Sequence, residues 1–410
     1  MDTPSAQNHT GKRALVVGLG ISGIATAIRL RQIGWSPVVI EKAPTRRTGG
    51  YFIGLFGSGR EAARRLGILD GLRDRTPYDG ANFDIDRLGN RRRGLSFRDI
   101  PGKPWLMLRG DVEQAAFTAL PTDVEVRYST VPTHIEQDAD GADVTLANTA
   151  DGTSVTERFD LVVGADGLRS TVRSLVFGPH EQYLRRLDYV VAAFQLPRPL
   201  SDVAQEDGAI LMEPNRAMWV FPFNDNLPAV LMGYRTEDVD AEFTEPPAKR
   251  VRAAFGSGPT GRALGEALDA LESTEDLLFD SVEQVHMDSW HRGRVVLVGD
   301  SAWCVTLFAG MGVSSGLAGA DLLGTMLARH PDGIEGALAE WERTLRPHMA
   351  VFQRLGMKQR TFFVPANRFQ IAMRRVVKFG MDTPVTAPLL RRLQENSKDG
   401  KLKEQDIARV

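Results

Sequence analysis

The tightest constraint on this chain lies near its start. Ala14-Leu-Val-Val17 is a short apolar run, Gly18-Leu-Gly20-Ile21-Ser22-Gly23 follows it, and an amphipathic stretch then continues to about Ile33. Ile21, Ile24, Ala25, Ile28 and Leu30 keep close to a helical period, and Gly34 ends the run ahead of Pro37-Val-Val-Ile40. The pattern predicts strand, glycine turn, helix and strand, a βαβ unit of about 30 residues. In such a unit the first glycine makes the tight turn and the second lets backbone approach a pyrophosphate. The third lets the helix close on the strand. The helix N-terminus adds N–H groups and the positive end of a dipole. Glu41 ends the second strand about 20 residues on, where a carboxylate accepts from ribose hydroxyls and disfavours a 2′-phosphate. The turn therefore reads as a dinucleotide site built from Gly18, Gly20, Ile21, Ser22, Gly23, Glu41 and Lys42, for FAD or NAD in preference to NADP.

Two later segments repeat the theme of apolar strand, acidic residue and turn. Asp160-Leu-Val-Val-Gly-Ala-Asp166-Gly167 is followed by Ser170 and Arg173. Arg294-Val-Val-Leu-Val-Gly299-Asp300 leads to Phe308-Ala-Gly310-Met-Gly312-Val313-Ser-Ser-Gly316. Asp300 is placed to accept from a ribityl hydroxyl. The N–H groups around Gly312 and Val313 open a helix that could stabilise negative charge on a reduced flavin ring.

The three motifs, in this order over roughly residues 11–325, resemble the single-component FAD-dependent aromatic hydroxylases of the para-hydroxybenzoate hydroxylase type. Asp166-Gly167 is similar to that family's DG fingerprint and Gly299-Asp300 to its GD fingerprint. Gly49-Gly50, Gly57-Ser58-Gly59 and Phe308 to Gly316 look most similar to the tetracycline-inactivating flavin monooxygenases. The resemblance implies FAD, with Gly18, Gly20, Gly23 and Glu41 on the ADP half and Arg109 and Asp300 on the pyrophosphate–ribityl region. Gly310, Gly312 and Val313 would flank the ring, and Asp166 joins the cofactor set. It implies NADPH or NADH as a transient co-substrate, since no second GxGxxG is present. Arg46 and Arg47 lie where related enzymes place a basic residue for that contact, and a solvated loop charge is the equal alternative. It implies that O2 adds at flavin C4a and that the hydroperoxide hydroxylates an apolar, aromatic or polyketide-like small molecule.

The chain departs from the family pattern beside the flavin. Trp303 stands where the family has His, and Thr306-Leu307 where it has prolines. That departure motivates one alternative, an FAD-dependent reductase or dehydrogenase without oxygen transfer. A second alternative is a protein using FAD structurally, for a non-redox reaction such as cyclisation or for ligand binding. Leu307 and Phe308 would form an apolar wall facing the substrate. One face of the strand carrying Trp219 and Phe221 lines the same cavity or belongs to sheet core. No Ser/His/Asp set or carboxylate pair stands out as catalytic, as expected where a cofactor performs the chemistry.

Composition narrows the rest. In 410 residues, 50 Lys+Arg against 52 Asp+Glu leave a net charge of -2, which offers no general electrostatic footprint for nucleic acid or an anionic membrane. A single cysteine, Cys304, excludes an intrachain disulfide and a Cys-rich zinc site, and reads as a small buried side chain. No metal-ligand spacing appears, and His134, His286 and His291 read as structural, without carboxylate or cysteine partners at useful spacing. No apolar run approaches the ~20 residues of a membrane span, and Met1 to Lys12 lacks a secretory core. The cytoplasm is the default, as monomer or homodimer.

The expected architecture is α/β with α+β elements. A Rossmann-like FAD-binding domain (13–75, 101–180 and 281–345) is interleaved with a β-sheet substrate domain (76–100 and 181–280). Residues 1–12 form a disordered tail and 346–410 a C-terminal helical segment. Residues 43–60 read as a long loop, and the C-terminal helices as interrupted at Pro331, Pro347, Pro365 and Pro384. Asn396 to Val410 reads as frayed.

Overall fold

Arg13–Val17 and Ser36–Ile40 pair in parallel, with the helix Ile21–Gln32 crossing between them, as the glycine turn demands. The computed structural model describes residues 11–46, 49, 51–77, 79–95, 102–256, 258–383, 386, 389, 392 and 397–409. Around this unit a six-stranded sheet forms in the order His291–Arg292, Val295–Leu297, Leu161–Gly164, Arg13–Val17, Ser36–Ile40, Glu125–Arg127. All neighbours are parallel except the antiparallel edge pair of His291–Arg292 with Val295–Leu297. Such strands are buried on both faces, which explains why Leu15-Val16, Val162-Val163 and Val295-Val296 are uninterrupted apolar runs. The glycine, DG and GD turns leave three adjacent strands at the same, C-terminal edge. That edge is where ligands bind in open parallel sheets.

The second layer is a seven-stranded, mostly antiparallel sheet: Leu277–Val285, Leu184–Gln195, Ala229–Arg235, Arg216–Phe221, Gly208–Glu213, Asn82–Ile85, Arg91–Arg93. Its pleat sorts side chains to two faces. Met218 and Val220 pack with Val251, Phe255, Leu264 and Leu268 of the helices Pro247–Phe255 and Gly261–Ser273. Ala217, Trp219 and Phe221 lie on the other face, with Tyr189 and Phe308.

Four expectations need correction. Phe52–Leu55 is a strand inside the stretch expected to be a loop, paired antiparallel with Trp105–Leu108. The helix Ile334–Phe363 runs unbroken through Pro347. A helix-interior proline forfeits a backbone hydrogen bond, and burial of Trp341, Leu345, Met349, Phe352 and Leu355 along one face offsets that loss. Residues after Asn396 are docked where fraying was expected. The helix Lys398–Glu404 is tied down by Glu404, which accepts from Gly57 N (3.2 Å) and pairs with Arg60 (2.8 Å). Asp406 pairs with Arg65 (2.7 Å), and Ile407 and Ala408 are buried. The last correction concerns histidine, since His134 has Glu136 at 3.1 Å and His291 has Glu342 at 2.7 Å. His286 bonds Gln284 (3.0 Å). Of the expected tail, residues 1–10 lie outside the described residues, and Lys12 is ordered, its carbonyl accepting from Ser36 N (2.8 Å).

Glu342 fastens the long helix to the first sheet. Its carboxylate accepts from His291 Nδ1 (2.7 Å), Trp290 N (2.9 Å) and Arg346 Nε (3.1 Å). Burial alone would raise its pKa, but these bonds from His291, Arg346 and the Trp290 N–H hold it at about 2. A carboxylate held below its ordinary 4.5 stabilises the fold above that pH, and the contribution is lost as pH falls toward 2. Glu342→Gln should therefore cost roughly 3 kcal/mol at neutral pH. The gap to the parent in urea unfolding should close between pH 4.5 and about 2; a gap independent of pH would contradict this assignment.

Candidate functional site

One cavity of about 760 Å³ opens between the two sheets, and most of the residues singled out in the sequence line it. Gly18, Gly20, Ile21, Ser22, Glu41, Lys42, Arg109, Asp166, Asp300, Gly310, Gly312 and Val313 all reach it, as do Leu307, Phe308, Trp219 and Phe221. Gly23 does not, and its role is steric. A Cβ there would lie 1.9 Å from the Gly18 carbonyl oxygen. Gly18 itself has φ +104°, and its N–H donates to Ile40 O (2.8 Å).

Glu41 braces this turn from the neighbouring strand. One carboxylate oxygen accepts from Leu19 N (3.0 Å) and the other from Ala43 N (2.9 Å). Each oxygen keeps acceptor capacity, so ribose hydroxyls and the turn can share the group. Arg109 enters from the opposite side. It begins the helix Arg109–Ala119, its N–H donates to Tyr51 O (2.9 Å), and its guanidinium pairs with Glu113 (2.6 Å). A Cβ on Gly20 would lie 4.0 Å from that guanidinium, an ordinary contact distance.

The DG and GD turns are bolted together behind the cavity. Asp166 accepts from Ser170 Oγ (2.6 Å), Val172 N (3.1 Å) and Ser301 Oγ (3.4 Å). Burial pushes its pKa up, with the bonds from Ser170 and Val172 opposing. The wholly buried Arg173 donates to Ser301 O (2.9 Å) and Leu168 O (2.6 Å). Asp300 is open to the cavity beside the buried Cys304; desolvation by the surrounding protein raises both groups, and the thiol is pushed well above its ordinary range. A protonated, enclosed thiol is a poor nucleophile, in keeping with its reading as a packing residue.

Trp303 turns away from the cavity. It packs with Trp290 (4.8 Å between centroids) and Trp341 (5.8 Å), and its Nε1 donates to Ser315 Oγ (3.2 Å). Gly319 is small because a Cβ there would sit 2.8 Å from the indole. The loop that lacks prolines is shaped instead by Thr306, at φ +72°, whose hydroxyl accepts from Phe308 N (3.2 Å), and by Gly310 at φ +67°. The helix Gly312–Arg329 then starts with no side-chain cap, and a Cβ on Gly312 would meet no atom within 4 Å. Its first N–H groups are thus available to an anionic or electron-rich ring edge.

The far end of the cavity is aromatic. Phe52 stacks on Phe221 (3.8 Å), Tyr189 meets Phe308 edge-on (5.7 Å), and Phe363 lies 5.5 Å from Phe308. Trp219 is fixed by its Nε1 bond to Phe363 O (2.9 Å). Phe52, Tyr51, Val191, Leu231, Phe362 and Phe363 line the cavity and were not singled out from sequence. Strand alternation hinted at Val191 and Leu231, whereas Phe362 and Phe363 depend on the long helix crossing from one sheet to the other. Of the glycines tied to the narrower resemblance, Gly57 and Gly59 do not line the cavity. They pack, since a Cβ on Gly59 would lie 2.8 Å from Ser314 Cα. Arg46 lines the cavity, lies over Phe117 (4.4 Å) and bonds Gln114. Arg47 and Gly50 lie outside the described residues.

A glycine turn, a braced carboxylate, an arginine opposite and an uncapped helix end together fit an elongated dinucleotide with a ring at its far end. The family described as FAD binding domain matches residues 12–343. The chain belongs to that family, as an FAD-dependent monooxygenase of the para-hydroxybenzoate hydroxylase type. Its relatives agree. It is 30% identical over 350 residues to an uncharacterised protein of Mycobacterium tuberculosis, covering 80% of this chain and 88% of the other. A flavin-dependent monooxygenase of Legionella longbeachae is 28% identical over 358 residues, covering 84% and 88%. The crystal structure of tetracycline destructase Tet(51) superimposes with a TM-score of 0.74 at 25% identity, covering 94% of this chain and 97% of that one. The monooxygenase thus shares its fold with Tet(51).

Glu41→Ala would strand two backbone donors, at a cost of ~1–3 kcal/mol. It should weaken FAD binding about tenfold or more in a flavin-fluorescence titration. Gly23→Ala should lower the thermal midpoint as well as FAD content, because it forces the helix off the strand at ~1–3 kcal/mol or more. Full retention of FAD by both variants would contradict the assignment of this end of the cavity.

Proposed function

We propose that this monooxygenase uses NADH or NADPH together with O2 to place one oxygen atom on an apolar, aromatic or polyketide-like small molecule. The observation that supports the reading is the continuity of the cavity. Its polar, glycine-lined end passes without a break into an aromatic end on the seven-stranded sheet. FAD, when bound, supplies acceptance of electrons from a nicotinamide and activation of O2. Gly18, Gly20, Ile21 and Ser22 offer close backbone approach, Glu41 and Asp300 offer acceptors for hydroxyls, and Arg109 offers a cation for phosphate. The start of Gly312–Arg329 offers N–H groups to the ring. Leu307 and Phe308 hold water away from the junction of the two ends, and Trp219, Phe221 and Phe52 give an aromatic lining that suits a planar ligand. Tet(51) is named as a tetracycline destructase, and a multi-ring ligand of that kind suits the aromatic end here.

Turnover under 18O2 should put one labelled atom in the product per NAD(P)H productively consumed. Unlabelled product formed in the presence of 18O2 would establish the reductase reading, which the missing prolines favour. Leu231→Trp, at the aromatic end, should leave FAD content unchanged while raising KM for the substrate about tenfold or more by filling space. A change confined to FAD binding would misplace the substrate end.

A further inference from the structure

The near-neutral net charge hides a local imbalance. From Arg354 to Arg392 the sequence has nine Lys or Arg residues and a single acid, Asp382. That stretch carries +8 in a chain of net -2, so the remainder sums to -10. It contains the helix Arg368–Asp382, capped by Asn367, whose side chain accepts from Gln370 N (3.0 Å). One side of this helix is anchored to the body. The Arg374 guanidinium lies over Phe362 (4.1 Å) and Trp219 (5.2 Å) and donates to Phe362 O (2.9 Å). The other side is apolar and open to solvent. Phe369 is 72% exposed, Val376 62% and Phe379 75%, with Met373 and Val377 also exposed between them.

At 3.6 residues per turn these five side chains cover an arc of roughly 160°. Arg368 and Arg375, both exposed, flank the edge of that arc nearest Phe379. A wide, exposed apolar face is costly in water and marks a surface that meets a partner. We propose that this face docks on an anionic lipid membrane, with the helix lying in the plane of the interface. Apolar side chains enter the acyl boundary and the flanking arginines meet lipid phosphates, the arrangement of an interfacial amphipathic helix. Charge decides between this and a second copy of the chain. Two such helices packed face to face would bring Arg368 and Arg375 of both copies together, with Asp84 of the strand Asn82–Ile85 acting on Arg375 and not on Arg368. Nucleic acid would satisfy the arginines but leave the apolar arc in water. The surface stands independently of the proposed reaction. That a membrane-dissolved substrate enters beside it, where Phe362 and Phe363 line the cavity, rests on that reaction.

The test uses the full-length, FAD-loaded protein and vesicles, with no activity readout. The protein should co-sediment with phosphatidylglycerol–phosphatidylcholine vesicles, and at least tenfold less with phosphatidylcholine alone or at high salt. The double variants Phe369→Ser with Val376→Ser, and Arg368→Glu with Arg375→Glu, should each weaken binding about tenfold or more. Their circular dichroism and flavin content should match the parent. Failure of the parent to bind anionic vesicles overturns the proposal, and so does binding that neither variant weakens. A dimer seen by light scattering that Phe369→Ser with Val376→Ser disperses, without vesicle binding, gives the face to a second copy and also overturns it.

Discussion

The helix Ile21–Gln32 sits on its sheet because two glycines let backbone touch backbone. With a Cβ on Gly23 placed 1.9 Å from the Gly18 carbonyl, any side chain there would lift the helix away. A Cβ on Gly18 would likewise collide with Ala165 O at 2.6 Å, in the DG turn of the adjacent strand. The close approach fixes where the helix N-terminus points, and the parallel sheet fixes that three turns share its edge. Glu41 and Ser301 then lock those turns by hydrogen bonds rather than by packing. The result is a rim at the C-terminal edge of the sheet braced by backbone contact and hydrogen bonds.

The opposite wall is built on a different principle. A half-buried antiparallel sheet alternates, so each strand gives one set of residues to the helix-covered core and the other to the cavity. Trp219 and Phe221 face the cavity because Met218 and Val220 face the helices. The long helix joins the two walls. Glu342 pins it near the six-stranded sheet and Phe362 and Phe363 reach the aromatic end, a span that requires the helix to continue through Pro347. The monooxygenase therefore joins the glycine-lined and aromatic ends of the cavity through one continuous element.

Legibility in the sequence followed the range of the interaction. Gly18 to Gly23, Glu41, Asp166 and Asp300 were readable because strand, turn and helix follow within a few residues of each other. Phe52–Leu55 was not, because its partner strand Trp105–Leu108 is distant and the stretch between carries no local period. Lys398–Glu404 looked like a solvated tail because its anchors, Gly57, Arg60 and Arg65, lie at the other end of the chain. His291 looked unpartnered for the same reason, with Glu342 supplied by a later helix. Net charge is a different case, since it averages a basic stretch, Arg354 to Arg392, against an acidic remainder.

The proposed reaction requires that FAD lie in this cavity where a nicotinamide can reduce it. The most direct measurement is the visible spectrum of the purified protein under anaerobic addition of NADPH, with and without candidate aromatic ligands. One FAD per chain is expected, bleached on reduction and restored by air. A colourless protein that takes up no FAD, or a bound flavin that stays oxidised with every nicotinamide and ligand, would contradict it.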